Sequence, residues 1–536
     1  MPRKSLTLAL AGLTLIATAF AAQMTDSQKA LHALNRLTFG PRPGELDQIK
    51  KIGVERWIEQ QLHPESIPEN PVLLEKLEPL DTLRLSTKAM LRKYPSQQMI
   101  KAMAEGRMPL PEDKETRAAV QTAIERYRRR QEAAATATPE SRPASPALRR
   151  ILNAPARDLT EAKLLRAIYS NRQLEDVLTD FWFNHFNVYL NKGADRFLVT
   201  AYERDVIRPH VLGKFKDLLL ATAQSPAMLF YLDNWQSAAP GMIRPFAPPK
   251  QRKAGLNENY GRELMELHTL GVDGGYTQRD VTEVARCFTG WTIRQPRQGG
   301  GFFFNPRMHD RGEKHVLGFT IPAGGGLEDG LKVLDILAKH PSTARFISKS
   351  LAVRFVSDNP PGELIDRMAA TFTKTDGDLR EVMRVMLSSD EFWSAANFRS
   401  KVKSPLEMVA SAVRAVNGDV ENAQRMANLM KTLGEPLYLK IEPTGYSNRG
   451  ADWLNSASLL ARMNFANSLA LGKIAGVKVD LTQFSGDAAQ IERNILLTDP
   501  SPASRSVIET DSAAGPRIAG PRVAGLTLGS PDFQRR

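Results

Sequence analysis

The segment from Leu174 to Tyr189 constrains the fold most, because its apolar residues cover nearly the whole circumference of a helix. A helix that is apolar on almost every side must be surrounded by protein. Its polar positions, Asp180, Asn184 and Asn187, form one narrow stripe. His185 falls inside the apolar arc, where an imidazole stays neutral and needs a hydrogen-bond partner. The segment therefore predicts a central helix, and its polar stripe indicates a wet or ligand-lined cavity.

A second informative stretch, residues 256–291, is dense in acid, amide and histidine side chains. Helix formers from Asn259 to Leu270 predict a helix that ends at a glycine. Helical periodicity predicts that Glu263 lies on the buried face of this helix and that His268 lies at the edge of that face. A buried carboxylate must be paired, hydrogen-bonded or protonated. Glu263 is therefore either a structural ion-pairing residue or a catalytic or metal-binding one, and a second helix from Gln278 to Phe288 is expected to pack on the first.

Amphipathic helical patterns fill most of the remaining chain, so the predicted fold class is mainly α, with one large multi-helix domain. Period-two patterns at Gly301–Phe304 and His315–Phe319 predict a small β-hairpin. The loop between these strands carries His309, Asp310 and Lys314. A neighbouring His and Asp on a tight loop suit metal ligands or an acid/base pair, although an Asp before x-Gly is also an ordinary turn residue.

The ends and joints of the chain have distinct compositions. Two basic residues, an apolar run and the A-x-A site Ala19–Ala21 predict a signal peptide and export to the periplasm or the cell exterior. The apolar run is shorter than the roughly 20 residues that a spanning helix needs. The predicted organisation is a signal peptide (1–21), an N-terminal helical region (25–131), an Ala, Thr and Pro-rich linker (132–147), a main helical domain with the hairpin near 301–321 (148–471) and a disordered tail (500–536).

Cys287 is the only cysteine, so no intramolecular disulfide forms although the expected compartment is oxidising. Stability must come from packing. A lone cysteine between Arg286 and Phe288 on a helix is expected to be a small core residue, with a nucleophile as the alternative.

About half of the net charge of +13 lies in residues 91–150, which contain 13 Lys or Arg and 7 Asp or Glu. Arg126 and Arg128–Arg130 lie on a helix predicted from Glu115 to Ala134. This basic face is either simply solvated or contacts an anionic lipid, lipopolysaccharide or an acidic partner. Nucleic acid is not an expected partner, because aromatic residues are not interleaved with the basic ones.

Several separated motifs together resemble one bacterial family, which is catalogued only as a domain of unknown function, number 1800. They lie at Asn184–Phe186, Asn257–Gly271, Phe288–Trp291, His309–Gly318, Lys403–Glu407 and Pro443–Tyr446. The resemblance extends from about His32 to Leu471. The family's usual second motif begins PNENYARE, so Leu256 and Gly261 are departures. The resemblance implies an exported protein without an established activity or cofactor, often encoded beside a second exported protein that is similar to sulfatases.

Two hypotheses about function follow. The favoured one is an exported scaffold or partner of the co-encoded sulfatase-like protein, since no complete H-E-x-x-H or G-x-S-x-G motif occurs. The alternative is a hydrolase, acid/base or dependent on a divalent metal, with a His/Glu/Asp cluster in a helical cavity. Its candidate catalytic residues are His185, Glu263, His309 and Asp310, and its candidate binding residues are Asn184, Asn257, Glu258, Arg262, His268 and Lys314.

Overall fold

The computed structural model describes residues 24–133, 146–242, 255–295, 299–513 and 520–536. These ranges are mainly helical with a few short strands, which confirms the predicted fold class. The predicted signal peptide and most of the predicted linker lie outside the described residues. Within the described ranges, no helix combines the length and the apolar content needed to span a bilayer.

The α-helices carry their labels in chain order. They are α1 Asp26–Leu37, α2 Glu45–Ile52, α3 Val54–Leu62, α4 Pro71–Leu77, α5 Thr87–Lys93, α6 Gln97–Ala104, α7 Lys114–Ala133, α8 Pro146–Tyr169, α9 Gln173–His185, α10 Asp195–Ala201, α11 Phe215–Ala223, α12 Pro226–Tyr231, α13 Asn259–Glu263, α14 Gln278–Cys287, α15 Leu327–Lys339, α16 Pro341–Phe355, α17 Gly362–Lys374, α18 Leu379–Leu387, α19 Pro405–Ala415, α20 Ala423–Thr432, α21 Ser456–Ala470, α22 Ala488–Leu496, α23 Pro502–Ala513, α24 Gly520–Gly529 and α25 Pro531–Gln534.

Shorter helical turns connect several of these helices. Two π-helical turns, Tyr202–Ile207 and Leu264–Thr269, continue α10 and α13. Single 3₁₀ turns lie at Pro64–Ser66, Asp81–Leu83, Arg208–His210, Asn234–Gln236, Ala395–Asn397, Gly450–Trp453 and Leu481–Phe484.

The strands form three separate antiparallel pairs. They are β1 Trp291–Ile293 with β2 Phe302–Phe304, β3 Lys314–Val316 with β4 Phe319–Ile321, and β5 Asp419–Val420 with β6 Val477–Lys478. A small hairpin near residues 301–321 is present as predicted, formed by β3 and β4, but the expected pairing of the strands near 302 and 316 is wrong. The strand near 316 instead turns back at once through Leu317 and Gly318, which both have positive φ. Two-residue turns with positive φ at both positions are common in hairpins. Leucine rarely adopts a positive φ, so Leu317 did not indicate a turn in the sequence.

The core is continuous from the N-terminal helices to the last ones. Helix α9 lies inside it, as predicted, although it ends at His185 and not near Tyr189; Trp182 in the helix and Phe186 just after it are fully buried. Leu37 and Leu62 of α1 and α3 belong to the same buried cluster as Leu164 of α8. The N-terminal region thus shares its core with the main domain. Cys287 is also buried, and burial raises the pKa of its thiol to about 12, which agrees with a core residue.

The prediction of a disordered tail is wrong for the described residues 500–513 and 520–536, because α23, α24 and α25 occupy them. Composition rich in Pro, Gly, Ser and Arg predicted disorder, but Leu528 and Phe533 are buried. Glycine also allows close packing here, since a Cβ on Gly525 of α24 would lie 2.4 Å from the Asn467 side-chain oxygen of α21. Small residues thus give this tail a packed face.

Candidate functional site

The polar stripe of α9 holds an irregular stretch of chain, residues 436–449, which we call the 440 segment. The Asn184 side-chain oxygen accepts a hydrogen bond from the Tyr446 backbone N–H at 3.1 Å. The Asn187 side-chain amide donates to the carbonyl oxygens of Lys440 and Glu442 at 3.0 and 2.8 Å. Sequence analysis placed these amides beside a cavity, and they position one of its walls.

A network of buried charges lies beneath this wall. Lys163 pairs with Asp180 of α9 at 2.7 Å, and the Tyr438 hydroxyl donates to Glu203 at 2.6 Å. Glu435 accepts a hydrogen bond from the Leu406 backbone N–H at 2.7 Å. Burial, reinforced by the nearby negative charge of Asp180, raises the pKa of Glu435 to about 8. This carboxyl is therefore protonated at neutral pH.

His185 at the end of α9 faces the turn that follows α13. Its Nε2 donates a hydrogen bond to the His268 carbonyl oxygen at 3.0 Å, and the two ring centroids lie 6.3 Å apart. Burial lowers the pKa of His185 to about 4. Burial, with a smaller contribution from His185, lowers the pKa of His268 to about 3. Both imidazoles are therefore neutral at pH 7.

The π-helical turn at Leu264–Thr269 alters which side chains are buried. The Thr269 hydroxyl donates to the Leu264 carbonyl, five residues earlier, and Thr269 is fully buried although the helical wheel places it in solvent. The wheel assumes about 100° per residue, and a π turn breaks that period. The turn also leaves His268 buried, next to the Phe186 ring.

Glu263 ends α13 and is half-buried, so it turns inward only in part. Burial, then the nearby charge of Glu266, raises its pKa, and Arg262 partly offsets this. Glu263 forms no hydrogen bond or ion pair with any residue in the described part of the chain. The structural ion pair predicted for Glu263 is therefore absent from the described part of the chain.

Glu258 and Arg262 join α13 to α14. Glu258 accepts hydrogen bonds from the Thr282 hydroxyl at 2.7 Å and the Gln278 amide at 2.9 Å, and Arg262 donates to Gln278 at 2.9 Å. The Asn257 side chain accepts from the Asn259 backbone N–H at 3.0 Å and so supports the start of α13. The predicted helical hairpin is present, and these three candidate binding residues stabilise it.

His309 and Lys314 form a buried cluster with Asp329 of α15. His309 Nε2 lies 3.1 Å from the Asp329 carboxylate, and Lys314 Nζ lies 2.6 Å from the same oxygen. His309 Nδ1 is 2.8 Å from the Thr289 carbonyl oxygen. Both nitrogens of His309 therefore have oxygen partners within the protein, and the cluster fixes β3 to α15.

Asp310 pairs with Arg286 of α14 at 2.8 Å. Arg286 also pairs with Glu283 at 2.8 Å, one turn earlier on the same helix. Because of the guanidinium and the Gly312 backbone N–H, the pKa of Asp310 is lowered even though burial opposes the shift. Asp310 thus remains an ionised structural carboxylate.

The candidate catalytic residues do not form one cluster. His185 bonds to the His268 carbonyl oxygen and His309 contacts Asp329, whereas Glu263 forms no hydrogen bond or ion pair with any described residue. Within the described ranges, no group of three or more His, Cys, Asp or Glu side chains is placed to hold a metal ion. The described donor set therefore does not fit the divalent cation of the hydrolase hypothesis.

A cavity of about 670 Å³ lies beside His185, and we call it the His185 cavity. Its walls are the end of α9, residues 267–273, one face of α16 and the 440 segment. Four charged residues line it: Asp273, Arg345, Lys349 and Arg449. Arg345 pairs with Asp366, whereas the side chains of Lys349 and Arg449 form no ion pair or hydrogen bond with any described residue.

Sequence reasoning missed most of this site. Arg345 and Lys349 are four residues apart on α16, a spacing that predicts only a solvated face. Arg449 and Glu435 lie in irregular chain, where periodicity gives no orientation. The polar stripe of α9 was the only signal that pointed to the cavity.

The predicted basic face lies elsewhere. Helix α7 runs from Lys114 to Ala133, close to the predicted bounds, and Arg126, Arg128 and Arg129 on it are exposed. This arrangement agrees with a solvated face, and contact with an anionic surface stays a prediction.

The fold and the cavity define a mainly helical protein with a cavity lined by three basic residues and one acidic residue. The model of the family described as Protein of unknown function (DUF1800) matches residues 32–535. The chain belongs to this family. Neither the curated proteins nor the solved structures include a significant match to it.

Proposed function

We propose that the protein is an exported binding protein that holds an anionic ligand in the His185 cavity. The observation that carries this proposal is the pair of basic side chains, Lys349 and Arg449, that line one cavity without an ion-pair partner among the described residues. Arg345 adds a third basic group, and Asp273 is the single acidic residue in the lining.

The size and composition of the cavity support a ligand larger than a simple ion. Small-molecule sites in proteins usually enclose about 300–1,000 Å³ and combine apolar walls with a few polar groups. Here the half-buried Phe346 provides apolar surface, and the basic side chains provide orientation. A negatively charged group gains affinity and association rate from these charges.

The hydrolase hypothesis receives less support. His309 and Asp310 are bound within structural ion-pair clusters, and Asn257, Glu258 and Arg262 stabilise a helical hairpin. Of the four candidate catalytic residues, only His185 lines the cavity. Recognition of a ligand therefore accounts for more of the observed geometry than bond cleavage does.

Isothermal titration with cyclohexanecarboxylate tests the proposal. We expect saturable binding by the full chain that weakens as salt concentration rises. Lys349→Met combined with Arg449→Met should reduce the affinity at least tenfold. The matched control, Lys51→Met with Lys473→Met, removes two exposed charges outside the cavity and should bind as wild type does. Equal affinity in both double variants would refute the proposal.

We further propose that the protein acts with the co-encoded, sulfatase-like exported protein that its family resemblance implies. The positive charge of the chain supports an acidic partner surface. A pull-down at two salt concentrations tests this: retention should fall at the higher one. Retention that is insensitive to salt, or no retention at all, would count against an electrostatic partnership.

A further inference from the structure

His185 lines the cavity and carries one hydrogen-bond acceptor that no described residue engages. The ring is neutral at pH 7, because burial lowers its pKa to about 4, and a neutral imidazole carries one proton. That proton lies on Nε2, since the His268 carbonyl oxygen 3.0 Å away can only accept a hydrogen bond. Nδ1 therefore keeps its lone pair. Nδ1 forms no hydrogen bond with any described residue. It is also not one of the fully buried polar atoms that lack a partner, so it keeps some accessible surface.

Neighbouring aromatic rings hold this imidazole in place. Phe181 stacks beside it with centroids 6.3 Å apart, and Trp182 and Phe186 contact it edge-on at 5.3 and 4.7 Å. Phe346, across the cavity wall, is 6.0 Å away. A ring packed in this way keeps Nδ1 in one direction, so the acceptor is positioned before a ligand arrives.

We propose that the ligand of the His185 cavity is a hydroxylated organic anion, such as an acidic sugar. A hydroxyl group of the ligand donates a hydrogen bond to His185 Nδ1, while its anionic group pairs with Lys349 and Arg449. This inference rests on the proposed function and adds the class of ligand. An anion without a donor leaves the lone pair of Nδ1 without a partner after water is displaced, and that lowers its affinity.

The cavity has further features that suit a sugar ring. Its volume of about 670 Å³ accommodates one or two such rings. The Phe346 ring offers apolar surface for the C–H face of a saccharide, and Asn448 and Ser447 of the 440 segment line the same cavity. Donor, acceptor, cation and apolar groups therefore all face one space.

Isothermal titration with two anions tests the ligand class. Glucuronate and cyclohexanecarboxylate both carry a carboxylate on a six-membered ring, and the hydroxyls of glucuronate cover most ring positions. We expect wild type to bind glucuronate about five- to tenfold more tightly, the range that one hydrogen bond supplies. His185→Phe should abolish this preference, because it weakens glucuronate binding and also removes the acceptor that cyclohexanecarboxylate leaves without a partner. His315→Phe, at an exposed histidine of β3, is the control and should retain the preference.

The outcomes separate the two proposals. Binding of both anions with equal affinity by wild type, or a glucuronate preference that survives in His185→Phe, would overturn the ligand class and leave anion recognition intact. Absence of binding for both anions would overturn the proposed function itself. If the melting temperature shows that His185→Phe is unfolded, the preference measured in wild type decides the question alone.

Discussion

At the scale of single residues, burial determines the chemistry of most ionisable groups in this protein. His185 and His268 are neutral because they are enclosed by aromatic rings, and the carboxyl of Glu435 is protonated because it is enclosed beside Asp180. Sequence periodicity correctly placed His185 in apolar surroundings. It gave no indication of Glu435, because that residue lies in irregular chain and its charged neighbours come from distant helices.

Glu435 makes stability depend on pH. Its pKa is about 8 in the folded protein and near the ordinary 4.5 in the unfolded chain, so the folded state holds the proton more strongly. The contribution to stability is complete below pH 4.5 and is lost as pH rises to about 8. Glu435→Gln imitates the protonated form and should lack this loss. The free energy of unfolding, measured in urea at pH 5, 6.5 and 8, should rise in the variant relative to wild type at each step. A constant difference across the series would show that the carboxyl is not held protonated.

A second prediction concerns the buried cluster of His309, Lys314 and Asp329. Asp329→Asn leaves the Lys314 ammonium, which is fully buried, without its counter-charge. Removing one partner of a buried ion pair costs about 3–5 kcal/mol, and we expect a loss of that size in the free energy of unfolding.

Glu391→Gln is the control for the ion-pair prediction. Its pair with Arg367 is partly exposed and lies at the surface, so this change should cost less than about 1 kcal/mol. Equal losses in the two variants, measured by chemical denaturation, would contradict the structural role assigned to Asp329.

At the scale of elements, helix bounds could be predicted well and the exceptions have local causes. The starts of α1, α14 and α19 carry capping boxes, which are visible in sequence. The π turn after Glu263 could not be predicted, because no residue type in the sequence indicates it. It changes which residues are buried. The disorder prediction for the tail failed because α24 packs closely through Gly525, whereas a composition rich in Pro, Gly, Ser and Arg indicates disorder.

The packing of the tail gives an element-scale prediction. Gly525→Ala in α24 places a methyl group within 2.4 Å of the Asn467 side chain and 3.1 Å of its Cα, and should lower the melting temperature. Gly529→Ala, in the same helix, meets nothing closer than 3.8 Å. That change should be neutral or should stabilise by up to about 1 kcal/mol, since alanine favours a helix. Identical effects of the two changes would contradict close packing of α24 on α21.

At the scale of the whole molecule, the fold class followed from sequence but the site did not. The residues around the His185 cavity come from α9, α16, the turn after α13 and the 440 segment, which are up to 268 positions apart between Phe181 and Arg449. Periodicity orients each residue on its own element and says nothing about which elements meet. For the same reason, the sequence suggested that His185, Glu263 and His309 share one site, because all three side chains can act in acid/base chemistry. In the structure they lie in different surroundings.

If an organic anion occupies the His185 cavity, anomalous diffraction from crystals soaked in 4-iodobenzoate should locate it there. We expect the strongest iodine peak inside the cavity, with the carboxylate of the probe beside Lys349 and Arg449. A strongest peak on the basic face of α7, near Arg126 and Arg129, with the His185 cavity empty, would contradict this proposal.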